Sequence, residues 1–180
     1  ALRMLYGEYD WNFHAQTADG EESVLKVMRV GCTIEEIDFQ IGLIAALASV
    51  TGVLVPHVLM TKSEQFYAQV QDQEGRPRLV WRVSLLPGET LDHHAPTTSL
   101  IGEVGAMMAR MHEALLDFRH PSLERTLKWD LSAADWISEH LTVFDAEPAV
   151  QRQIWDLLAC YRARGQALLK RLPQQAIHND

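Results

Sequence analysis

The chain has 180 residues, 47% apolar and 22% charged, which is enough apolar material for a buried core and too much for a disordered segment. A net charge of -8, from 24 acidic and 16 basic residues with no basic stripe, argues against a nucleic-acid-binding surface. Two cysteines, Cys32 and Cys160, make a disulfide framework an unsuitable reading and fit a reducing, cytoplasmic compartment, while no apolar run reaches the roughly 18 residues of a membrane span.

The first stretch, "LRMLYGEYDWNFHAQT", alternates like a strand. "SVLKVMRV" is a second, stronger strand, and the Asp19-Gly20 pair between them predicts a hairpin. "TIEEIDFQIGLIAALASV" predicts a helix, with Thr33 as N-cap and Glu36 three residues on as the other half of a capping box. Ile37, Ile41, Ile44 and Ala48 share one face of it, and Gly52 ends it. Three β-rich runs follow, "VPHVLMT", "QFYAQVQD" and "RLVWRVSLL". The layout to Leu85 is therefore β-β-α-β-β-β. Its connections are too short for parallel crossovers, so an α+β arrangement is expected, an antiparallel sheet with one helix packed on it.

After "LLPGETL" the pattern becomes helical. "TSLIGEVGAMMARMHEALLDF" places Leu100, Val104, Met107, Met108, Met111 and Leu115 in one stripe. "SAADWISEHLTVF" and "PAVQRQIWDLLACYRARGQALLKRL" predict two more helices, starting at Ser132 and Pro148. Trp129, Trp136 and Trp155 are expected in the core. The domain boundaries expected are a sheet lobe over 1–84, and a joint with a helical lobe over 85–180.

Several residues can carry chemistry. Lys26 is a strand lysine, read either as an ordinary solvent-facing side chain or as an ammonium for nucleotide phosphates. Gly7 stands alone in "LYGEYDWNF", so no glycine-rich phosphate motif is present, although the turn amides and Asn12 could lie over phosphates. A helix partner for Lys26 is sought in Glu36 or Gln40. If the capping box uses Glu36, Gln40 on the buried face is the better-placed group. Backbone groups of Ser84, Leu85 and Leu86 offer an edge to a purine. "LDHHAP", with Asp92, His93 and His94, reads as a solvated loop rather than a metal site, and His112-Glu113 lacks the second histidine of a zinc-protease motif. The chain closes on "AIHND", in which His178 and Asp180 form His-x-Asp.

A β lobe, a strand lysine, a Pro-Gly joint, a long helix and His-x-Asp follow one another in the order of a kinase-like domain. On "GEYDWNF", "SVLKVMR", "EEIDFQIGLIAALA", "VSLLPGETL", "MHEALLDFRHPSLERTLKWDL" and "AIHND", the chain resembles the aminoglycoside phosphotransferase/choline kinase superfamily, and more narrowly its hydroxylysine-kinase-like group. The resemblance implies a protein-kinase-like fold and ATP- and Mg2+-dependent phosphorylation of a small hydroxylated metabolite. It implies Lys26 on nucleotide phosphates, the joint backbone on adenine, Asp180 as catalytic base and His178 as its brace. It also implies magnesium ligands that lie mostly beyond Asp180. The chain is therefore expected to be cut at the catalytic loop, inactive alone, and prone to dimerise through exposed apolar helix faces. Similar domains occur fused to aminotransferase modules. Two further readings stay open at this point: a degenerate kinase-like docking module of a larger enzyme, and an unrelated α+β domain.

Overall fold

The computed structural model describes residues 1–125 and 127–178. They divide into two compact units, one built from Ala1–Leu123 with Ala176–His178, the other from Glu124–Gln175.

The first unit holds an antiparallel sheet of six strands: β1 (Leu2–Leu5), β2 (Trp11–Gln16), β3 (Glu22–Val27), β4 (Val58–Leu59), β5 (Tyr67–Gln71) and β6 (Pro77–Ser84). The order is β1-β2-β3-β6-β4, with β5 also paired to β6, and every pairing is antiparallel. The expected Asp19-Gly20 hairpin joins β2 to β3, with Gly20 at φ +91° supplying the left-handed turn residue. The opening run is two strands rather than one. It breaks at Gly7, where a Cβ would lie 2.2 Å from the Asp10 carbonyl and 2.5 Å from Asn12 Nδ2, a space only glycine leaves open.

Helix α1 (Ile34–Leu47) starts on the expected capping box: Thr33 Oγ1 accepts the Glu36 N–H, and Glu36 accepts the Thr33 N–H. Its Ile37 is fully buried against Met28, Leu79, Trp81 and Val83, with Ile41 and Ile44 packed beside them. Each such fully buried side chain contributes about 1.5–3 kcal/mol. This fixes which face of the sheet the helix covers. Val24, Lys26 and Met28 lie on it, as do Leu79, Trp81 and Val83, because alternate residues share a face.

Arg78 fastens one end of the sheet. This residue is only 8% exposed, and its guanidinium donates to Asp72 Oδ2 at 3.1 Å and to the Met28 carbonyl at 3.1 Å and lies 4.8 Å from the centre of the Trp11 ring. Asp72 also accepts the Arg76 and Glu74 amides, closing the β5–β6 turn.

Helix α2 (Thr98–Ala114) is capped by Thr97. Of the expected apolar stripe Leu115 is buried and, with Met111, packs with Leu47, Ala176 and Phe118; Leu100, Val104 and Met108 are half-buried and Met107 faces solvent.

The second unit departs from expectation. Residues Leu131–Phe144 form a 3-10 segment rather than an α-helix, and its N-cap is Asp130, whose carboxylate accepts the Ser132 N–H at 2.8 Å, in place of Ser132. Helix α3 (Pro148–Cys160) starts at Pro148 as expected, but the predicted long helix changes pitch to a π-turn at Tyr161–Gly165 before α4 (Gln166–Leu169). Gly165 leaves room there for the Tyr161 ring. A Cβ on Gly165 would lie 2.5 Å from Tyr161 Cδ2, and the Tyr161 hydroxyl reaches the Leu131 carbonyl at 2.7 Å. Trp129 and Trp155 are not core residues: they are 61% and 44% exposed. Trp155 is covered on one face by Arg162, and Trp136 by Lys128.

Candidate active site

The β2–β3 hairpin sets the site. Its turn pairs positions equidistant from Asp19, so Asn12 stands directly opposite Lys26, and Trp81 flanks Lys26 from β6. Directly opposed residues in an antiparallel pair share a face. Leu5, Asn12, Lys26, Trp81 and Tyr67 therefore form one row across the helix-covered face. Lys26 is half-buried, and its Nζ donates to Asn12 Oδ1 at 2.9 Å. Burial lowers its pKa from the ordinary lysine value, and the negative charge of Asp10 works against that shift.

Asn12 reaches in two directions. While Oδ1 holds the ammonium, Nδ2 donates to the Tyr6 carbonyl at 3.2 Å, across the turn that Gly7 opens. Asp10 anchors the same turn by accepting the Arg29 amide at 2.7 Å. The loop over the lysine is thus tied to the end of β3 at two points, without a glycine-rich motif.

The helix groups expected to hold Lys26 are engaged elsewhere. Glu36 completes the cap and pairs with Arg29 at 2.6 Å. Burial alone would raise its carboxyl pKa, but the Thr33 amide, Arg29 and the Cys32 thiol together hold it below the ordinary value. The Gln40 Nε2 donates to the Glu36 carbonyl at 3.3 Å, and the Lys26 ammonium donates to Asn12 on β2 instead of to Gln40. Asn12, a candidate donor to phosphates on sequence, here spends its Nδ2 on the Tyr6 carbonyl. Its opposition to Lys26 was already contained in a hairpin centred on Asp19, seven residues from each.

At the exit from β6, Ser84 is also used up in part. Its N–H donates to the His57 carbonyl and its hydroxyl accepts the His57 N–H, both at 2.8 Å. That removes the Ser84 amide as a purine contact. Leu85 and Leu86 are exposed and lie past the end of β6.

The segment Ala176–His178 packs on the ends of α1 and α2. Ala176 is buried against Leu47 and Leu115, and the His178 N–H donates to His112 Nε2 at 3.1 Å, which requires that nitrogen to carry its lone pair. Asp180 lies outside the described residues. His94 lies 3.2 Å from Glu89, His93 sits in a one-turn 3-10 helix, and no cluster of three His, Cys, Asp or Glu is placed to hold a metal among the described residues.

Chemically, the arrangement presents a half-buried ammonium whose hydrogen-bond partner is neutral. Among the described residues no carboxylate contacts it, so it can meet an anionic group.

Comparison with known proteins fits this geometry. The model of the family described as "Phosphotransferase enzyme family" (APH) matches residues 7–180. The chain is 26% identical to the hydroxylysine kinase of Danio rerio, over 99% of this chain and 52% of that protein. It is 32% identical to the homoserine kinase of Ralstonia nicotianae, over 82% of this chain and 41% of that protein. The chain thus spans about half the length of the curated relatives it matches. Among solved structures, a microcompartment-associated aminopropanol kinase aligns at a TM-score of 0.58 and 23% identity, over 72% of this chain and 40% of that one. The amicoumacin kinase hAmiN, solved with AMP-PNP, Ca2+ and Ami, aligns at 0.53 and 18%, over 67% and 36%. These likenesses carry the fold, which is protein-kinase-like.

Proposed function

Since this chain belongs to the phosphotransferase enzyme family APH, we propose that the protein carrying it moves the γ-phosphoryl group of ATP to the hydroxyl of a small metabolite, an amino alcohol or a hydroxy amino acid. The observation that carries the reading is Lys26. It is a half-buried ammonium on the third strand, on the sheet face that the helix covers, with a neutral partner at 2.9 Å. In this reading Lys26 takes the nucleotide phosphates, and Leu85 and Leu86 offer backbone groups to the adenine. Asp180 accepts the proton of the acceptor hydroxyl as its oxygen bonds to the γ-phosphorus and ADP departs, while His178 braces that loop against His112. Magnesium enters as part of the nucleotide substrate and neutralises charge on the phosphates.

The acceptor class rests on the relatives. Hydroxylysine, homoserine and aminopropanol each join a hydroxyl to an amine in one small molecule. A net charge of -8 suits a cationic acceptor of this kind. A cytoplasmic location and self-association through exposed side chains such as Ile101 and Met107 are subsidiary proposals.

The test is ADP release by the full-length protein with MgATP against a panel of amino alcohols and hydroxy amino acids. Product should form with at least one of them, and Lys26→Met should lower kcat/KM by about a hundredfold or more. No product across the panel, or an unaffected Lys26→Met variant, would overturn the reading. One observation favours a second: the Glu36 carboxylate is committed to Arg29 and the helix cap, as in a module that has lost a helix–lysine ion pair. A docking module of a larger enzyme, for instance one with a fused aminotransferase, would show no turnover of any panel member.

A further inference from the structure

We propose that Asn12 is a positioning residue that acts on the nucleotide through Lys26, taking over from α1 the task of aiming the ammonium. The inference rests on the kinase reading above and deepens it.

Three observations converge. Lys26 has Asn12 as its hydrogen-bond acceptor among the described residues, and the two stand opposite each other in the register, so the contact is built into the strand pairing. The same side chain grips the Tyr6 carbonyl, so the amide cannot rotate without giving up one of its two bonds. Gly7 leaves the space into which Nδ2 projects, where a Cβ would come within 2.5 Å. Meanwhile the carboxylate of α1 that could have served is held, Glu36 by Arg29 and Thr33, and the Lys26 ammonium donates to Asn12 on β2.

The chemistry follows from the neutrality of the partner. A carboxylate on Lys26 would compete with phosphate oxygens for the same N–H donors and cancel the charge that attracts them. An amide oxygen orients the ammonium and leaves its full charge to the ligand. It also links the turn over the site to the lysine beneath, so that displacement of one displaces the other. Asn12 touches no reacting atom in this account, which separates it from a direct phosphate donor.

A double-mutant cycle on nucleotide affinity distinguishes the two roles. In the full-length protein, Mg-AMP-PNP binding is measured by calorimetry for wild type, Asn12→Ala, Lys26→Met and the double variant. Asn12→Ala should weaken binding about tenfold when Lys26 is present. In the Lys26→Met background the same change should cost less than about twofold. An equal loss in both backgrounds makes Asn12 a direct ligand contact and overturns the proposal. If Lys26→Met itself leaves affinity unchanged, the kinase reading fails and this inference falls with it. Should Asn12→Ala not fold, the cycle is run with Asn12→Leu, which keeps the size, removes the acceptor and adds no charge; it should weaken the nucleotide only while Lys26 is present, and equal weakening without Lys26 would again overturn the assignment.

Discussion

The Glu36 carboxylate lies 2.6 Å from the Arg29 guanidinium with one oxygen and accepts the Thr33 N–H at 3.1 Å with the other. One side chain thus caps α1 and ties its start to Arg29, two residues past the end of β3. Glu36→Gln should destabilise the chain by about 1 kcal/mol in urea unfolding. The pH dependence has a definite sign. The folded-state pKa of Glu36 lies below its reference value of 4.5, so its stabilisation is whole above that pH and is lost as the pH falls through the folded value. Asp72 behaves alike at lower pH. Burial pushes its carboxyl up, but hydrogen bonds from the Arg76 amide and the Arg78 and Arg76 side chains bring it from 3.8 down to about 2. Glu36→Gln should flatten the acid limb of the stability curve nearer pH 4.5 and leave the lower limb, which belongs to Asp72, in place. A curve unchanged in shape would contradict this.

Gly165 sits beneath the Tyr161 ring, and the π-turn there predicts an inversion of sign. Alanine normally stabilises a helix over glycine by about 1 kcal/mol. Here the new Cβ would displace Tyr161 and break its bond to Leu131, so Gly165→Ala should destabilise by about 1 kcal/mol. In a Tyr161→Ala background the obstruction is gone, and the same glycine change should become stabilising. Thermal unfolding of the four proteins reads the cycle. The same sign in both backgrounds would remove the steric account of the π-turn.

Cys32 and Cys160 should differ sharply in reactivity. Burial, then hydrogen bonding to Glu36 and its negative charge, push the Cys32 thiol up to about 12, whereas Cys160 is exposed. The thiolate is the nucleophile, so at pH 8 iodoacetamide should modify Cys160 about a hundredfold faster than Cys32. Peptide mapping by mass spectrometry follows both sites. Glu36→Gln should speed Cys32, and comparable rates in the unaltered protein would contradict its environment.

Local chemistry was legible wherever a short-range rule decides the structure. Thr33 and Glu36 announce the cap, Asp19-Gly20 the hairpin, and Pro148 the start of α3. What escaped was set by contacts that periodicity does not encode. The 3-10 pitch over Leu131–Phe144 and the π-turn at Tyr161 depend on packing between the two segments, through Tyr161 to Leu131 and Arg162 to Asp135. The pairing of Lys26 with Asn12 rather than Gln40 follows from strand register, whereas helix-face reasoning finds only what could point toward the lysine. Ser84 was expected to have a free amide because its engagement with His57 joins residues 27 positions apart.

Arg78 has a consequence for the strand that bears the lysine. Its guanidinium holds the Met28 carbonyl just past the end of β3, and Asp10 holds the next amide along, that of Arg29. Peeling β3 away from that end would cost the buried guanidinium one of its two acceptors and leave it to Asp72 alone. The end of β3 is thereby held by two side chains, Arg78 and Asp10, at the carbonyl and amide of the peptide that joins Met28 to Arg29.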